Sequence, residues 1–118
     1  MKYLDTYVLA EIASGNNACT HYIGEDFVIT DLTLAEFYWV LLRDQGASLA
    51  DFWFEKLKDY AVPAAQYTII KAMAFRHLHK KKNLSFFDCV GYIFALENHV
   101  PFVTGDKEFR TFDGVEHL

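Results

Sequence analysis

Short apolar segments of strand character alternate with amphipathic helical segments along this chain, and that alternation limits the fold more than any other feature. Lys2–Asp5 reads as a short strand that turns towards a helix in "TYVLAEI". "NNACTHYIG" predicts a second short helix closed by Gly24, and Phe27–Thr30 a β-branched strand. From Thr33 to Gln45, Leu34, Phe37, Tyr38 and Leu41 fall at i, i+3, i+4 and i+7, one face of a helix, with Gly46 as its stop. Ser48 opens another helix towards Lys58, Tyr60–Val62 is a brief strand, and Pro63 suits the first turn of a long helix ending in "HKKKN". A helix from Ser85 to Asn98, the strand "PFVT" and a last edge strand in "VEHL" complete the chain. The predicted order is β-α-α-β-α-α-β-α-α-β-α-β. It implies a three-layer α/β/α architecture with a parallel sheet of four to five strands, residues 1–118 forming one domain.

Composition narrows the function classes. The 118 residues are 53% hydrophobic and 23% charged, enough apolar side chain for a core. No apolar run approaches the roughly 18 residues of a membrane span; the longest clear one is Phe37–Leu42. The first dozen residues lack the pattern of a signal peptide, so the expectation is a cytoplasmic protein without a membrane partner. Cys19 and Cys89 match no metal spacing and are expected as reduced thiols. There is no HExxH, GxGxxG or GxxxxGK[ST] pattern. The net charge of −5 means that a nucleic acid would need local help from cations or a basic patch.

Four acidic residues stand out by position. In a parallel α/β sheet, functional groups gather beyond the carboxyl ends of the strands. Asp5 follows "KYL" and Asp106 follows "FVTG" at two such ends; Glu36 and Asp88 lie in first turns of helices that face the same edge. Each has a simpler reading. Thr33-x-x-Glu36 and Ser85-x-x-Asp88 are capping boxes, as is Ser48-x-x-Asp51, to which no chemistry is assigned. Asp106 suits a turn and Asp5 a helix cap. If the four converge, repulsion matters: two carboxylates about 4 Å apart repel by about 4 kcal/mol at an effective dielectric of about 20. Such a cluster needs bound cations or protons. Oxygen-only ligands point to Mg²⁺ or Mn²⁺, ions that bridge phosphate oxygens and activate water. The chemistry suggested is metal-assisted phosphodiester hydrolysis.

Three stretches carry a family resemblance: "YLDTYVLAEI", "ITDLTLAEFYWVL" and "LSFFDCVGYIFALENHVPFVTGDKEFRTFDGVEHL". In this order and across the whole chain, they resemble PIN-domain ribonucleases, in particular the VapC-type toxins of toxin–antitoxin pairs. The resemblance implies a Mg²⁺- or Mn²⁺-dependent endoribonuclease with Asp5, Glu36, Asp88 and Asp106 as its acidic site. Thr6 and Thr104 fall where the family often has hydroxyls near the pocket. It also implies an RNA substrate, an antitoxin segment covering the acidic pocket, and a homodimer. Trp39, Phe52, Trp53 and Phe54 are candidates for a partner groove, against a place in the core. Two positions depart from the family pattern: Tyr7 replaces the usual Asn, which bears on the geometry of Asp5, and Gly91 replaces Ala. Lys80–Lys82 are candidates for RNA phosphates or simply a solvated helix end. The competing reading is a non-catalytic PIN-like module binding RNA or protein. A phosphoacceptor receiver domain ranks lower, because the chain lacks its paired early acids.

Overall fold

The computed structural model describes residues 1–118. Five strands, β1 (Lys2–Leu4), β2 (Phe27–Thr30), β3 (Ala61–Val62), β4 (Phe102–Thr104) and β5 (Val115–His117), pair in the order β3-β2-β1-β4-β5, all parallel. The helices are α1 (Thr6–Ala13), α2 (Asp31–Gln45), α3 (Ala47–Leu57), α4 (Gln66–Leu78) and α5 (Phe86–Glu97), with 3-10 turns at Thr20–Gly24, Lys58–Tyr60 and Lys107–Phe109. The three-layer α/β/α expectation holds, with five strands.

Alternation along the central strands divides the core in two. Leu4, Ile29 and Val103 join Val8, Leu9, Leu34, Phe37 and Leu41 on one face, under α1, α2 and α3. Tyr3 and Phe102 join Ala72, Val90, Tyr92 and Phe109 on the other, under α4 and α5. Each fully buried large side chain contributes roughly 1.5–3 kcal/mol. Gly91 lets α5 approach the sheet: a methyl group there would stand 2.7 Å from the Tyr3 ring, too close without a shift.

Several local expectations change. β1 ends at Leu4, and Asp5 caps α1, its Oδ1 accepting from the Val8 amide at 3.0 Å. The segment before β2 is a 3-10 turn, not an α-helix. α2 begins at Asp31 because Thr30, extended at the strand end, supplies the cap; its hydroxyl accepts from the Thr33 amide, so Thr33 is not the cap. The Ser48 capping box does not form either. Gly46, at φ 95°, alone joins α2 to α3, and Ser48 already lies inside the helix. Pro63 sits outside α4, whose first residue is Gln66. α4 ends at Leu78, leaving Lys80–Lys82 in the following turn. The Ser85 cap does form, its hydroxyl accepting from the Asp88 amide at 3.0 Å.

Candidate active site

Register brings the site together. Leu4 pairs with Val103, and the Asp5 amide donates to the Val103 carbonyl, so Asp5 stands level with Thr104, about 5 Å across the sheet. Asp106 follows two residues later. Strand order reverses between β1 and β4, and the crevice at such a switch point is where open α/β sheets bind ligands.

Thr104 links the two acids. Its hydroxyl oxygen accepts from the Asp106 amide at 3.0 Å, and the same hydroxyl lies close enough to Asp5 to favour the ionised carboxylate. Asp106 opens the Lys107–Phe109 turn, its Oδ1 accepting from the Glu108 amide at 2.9 Å. It is therefore a turn former and a neighbour of Asp5 and Asp88 at once. Glu36, half-buried on α2, accepts from the Thr6 hydroxyl.

Tyr3 fixes the approach of α2. Its hydroxyl lies 3.1 Å from Thr30 Oγ1 and 2.7 Å from Thr33 Oγ1, and it accepts from the Thr30 amide. This buried knot sets the first turn of the helix that carries Glu36. Sequence reasoning does not single out Tyr3; a hydroxyl-bearing ring inside a three-residue apolar strand is its only signal.

The electrostatics follow from burial. Asp5 is 2% exposed, and its carboxyl is pushed well above the usual range by desolvation, then by the charges of Asp88 and Asp106. Its Oδ2 is buried with no hydrogen-bond partner. Asp88 is raised to about 7, by desolvation and then by Glu36. Desolvation raises Glu36 as well, partly offset by Thr6. As the side chains stand, no three Asp, Glu, His or Cys groups converge tightly enough to ligate one ion. The donor set still fits a hard divalent cation: oxygen atoms only, an orphaned carboxylate oxygen, and three carboxyls whose charged form burial disfavours.

The profile of the PIN domain family matches residues 2–115. The chain belongs to the PIN-domain family. This PIN domain superposes on VapC20 of Mycobacterium tuberculosis, described as a sarcin-ricin loop cleaving toxin, with a TM-score of 0.84 and 16% identity over 98% of both chains. A toxin–antitoxin complex from Klebsiella pneumoniae gives 0.79 and 16%, covering 98% of this chain and 96% of the other. VapBC2 from Rickettsia felis, bound to a promoter DNA fragment, gives 0.74 and 12%, covering 100% and 98%. At these identities the likeness is one of fold. No curated protein matches the sequence.

The largest concavity, about 740 Å³, contains none of the four acids; it runs between α2 and α3, lined by residues including Leu34, Tyr38, Asp51 and Phe54. Beside it, Trp39, Phe52 and Phe54 are exposed, whereas Trp53 packs partly against the core. Lys82 reaches to 3.9 Å from Glu108, so the lysine turn adjoins the segment after Asp106. Both cysteines are buried and unpaired. No helix is long and apolar enough to cross a membrane.

Proposed function

We propose that this PIN domain is a Mg²⁺- or Mn²⁺-dependent endoribonuclease, the toxin of a VapBC-type pair, acting as one unit in the cytoplasm. The observation that carries the reading is the buried, unpartnered Oδ2 of Asp5 facing a like-charged edge. A protein that only needed a cap at this position would not bury a second oxygen that makes no hydrogen bond, with only the Thr104 hydroxyl near the carboxyl, since an unmet acceptor costs roughly 1–3 kcal/mol. Asp5 and Asp106 would be the main ligands, with Glu36 and Asp88 completing the set. When bound, the cation supplies charge neutralisation and water activation for hydrolysis of the phosphodiester.

The chain's own residues do the arranging. Thr6 holds Glu36, Thr104 spans Asp5 and Asp106, and Ser85 fixes the helix start that presents Asp88. Two partners belong to the same proposal. An antitoxin segment would cover the acidic pocket and use the aromatic groove of α2 and α3, and a second copy would complete a homodimer. The antitoxin is supported by the toxin–antitoxin complexes among the fold's relatives.

Single-stranded RNA incubated with the protein and Mn²⁺ is expected to be cut. Chelator should abolish the cutting, and Asp5→Ala should lower its rate on the order of 100-fold or more, as when other charge-stabilising groups are removed. RNA binding without cutting at any Mn²⁺ or Mg²⁺ concentration would instead favour the non-catalytic module.

A further inference from the structure

We propose that Tyr7 is a stacking platform for one unpaired base of the substrate, seated at the lip of the acidic edge by Gly105. The inference rests on the endoribonuclease reading above and names its substrate class: RNA with an unstacked nucleotide beside the cut.

Tyr7 lies in the first turn of α1, directly after Asp5 and Thr6. Its ring lies against Gly105, the residue between Thr104 and Asp106. A methyl group at position 105 would overlap that ring. The backbone gives no other reason for this glycine, because its φ lies outside the left-handed region that Gly15, Gly46 and Gly114 occupy. Gly105 is thus explained by the ring it admits, and the ring is held where both main acids leave the sheet.

The ring is also unused by the fold. Tyr7 is 49% exposed, and its hydroxyl makes no hydrogen bond within the chain. The other exposed aromatic side chains all have cover. Arg43 lies over Trp39, Lys56 over Phe52 and Lys71 over Tyr67; Tyr38 meets Phe54 and Phe27 stacks on Tyr60. Among the seven tyrosines, Tyr7 alone has neither an aromatic neighbour nor a cation on its ring. A half-exposed ring without an aromatic or cationic partner, held next to the proposed phosphodiester-cleaving edge, suits a nucleobase. A base in a duplex is already stacked on its neighbours, so the platform selects an unpaired nucleotide.

The experiment measures steady-state cutting and equilibrium binding of a short labelled single-stranded RNA, alone and with an abasic site walked through each position. Cutting is followed in Mn²⁺ and binding in chelator. Tyr7→Ala is expected to raise KM about 5- to 100-fold, the span one stacked base commands, with kcat little changed. Tyr7→Phe should restore the wild-type value. One abasic position should weaken wild type by the same factor and leave Tyr7→Ala indifferent. Gly105→Ala, whose methyl displaces the ring, should reproduce the KM rise without adding to that of Tyr7→Ala. An unchanged KM in Tyr7→Ala, an abasic penalty that persists in it, or a Tyr7→Phe defect as large as that of Tyr7→Ala overturns the proposal. If wild type cuts nothing, the nuclease reading fails, while the binding series in chelator still decides the platform.

Discussion

Two buried polar groups, two residues apart, one within β1 and one just past its end, are treated in opposite ways. The Tyr3 hydroxyl has three partners, all from the start of α2. Asp5 has one oxygen capped by Val8 and the other with none, amid like charges. Tyr3 is frame: every donor and acceptor is used, and the result is a fixed helix entry. Asp5 is the proposed site: the fold leaves an acceptor unmet and crowds acids against it. Burial alone therefore does not separate the two residues; unmet bonding capacity does.

The sharpest way to separate the two regions is pH. Asp88 rises from the ordinary 3.8 to about 7 in the fold, and Asp5 and Glu36 are raised as well. A raised carboxyl means that the folded state favours the proton. The associated stability is fully present below about 3.8 and is lost as pH rises through about 7. At about 1.4 kcal/mol per unit, Asp88 alone accounts for up to roughly 4 kcal/mol. Metal-free protein is thus expected to melt at lower temperature near pH 8 than near pH 5. Mn²⁺ should restore the loss near pH 8 and do little near pH 5, where Asp88 keeps its proton. Glu97, held below its usual 4.5 by Thr68 and Lys71, is largely ionised across this range and leaves the comparison intact. Thermal melts in chelator and in Mn²⁺ at the two pH values check it; equal melting temperatures would remove the strain assigned to the acidic edge.

A single substitution isolates Asp5 from that sum. Asn is as good a helix cap as Asp, so Asp5→Asn keeps the bond to Val8 and removes the charge. In chelator near pH 8 the variant is expected to be about 1–3 kcal/mol more stable than wild type, by denaturant unfolding. The gain should fade in acid, and stabilisation by Mn²⁺ should shrink with it. A destabilised variant near pH 8 would mean that Asp5, like Tyr3, is frame.

What the sequence makes legible follows the same division. The sheet and its parallel order can be read from period and alternation, because apolar runs such as Phe27–Thr30 and Phe102–Thr104 fit little else. Asp5 and Asp106 can be picked out because a charge interrupts an apolar strand end. The start of α2 misleads, since Thr30 and Thr33 are equally good caps on paper and only the strand end at Thr30 decides between them. Tyr7 can be noticed in the sequence only as a departure from a pattern. Its meeting with Gly105 joins opposite ends of the chain, and no local periodicity encodes that contact.

The smallest expected effect tests the frame. Tyr3→Phe keeps the ring against Phe94 and Phe102, so the apolar packing survives. It removes the acceptor that the buried Thr30 amide uses. The cost should be about 1–2 kcal/mol at either pH, because no ionisation is involved. Metal-dependent stabilisation should be unchanged, since Asp5, Thr104 and Asp106 do not touch this knot. The variant thus inverts the signature of Asp5→Asn: stability falls rather than rises, and neither pH nor Mn²⁺ modulates the change. A Tyr3→Phe protein that lost its response to Mn²⁺ would show that the frame and the site are one cooperative unit, with Glu36 reached through α2 as the physical link between them.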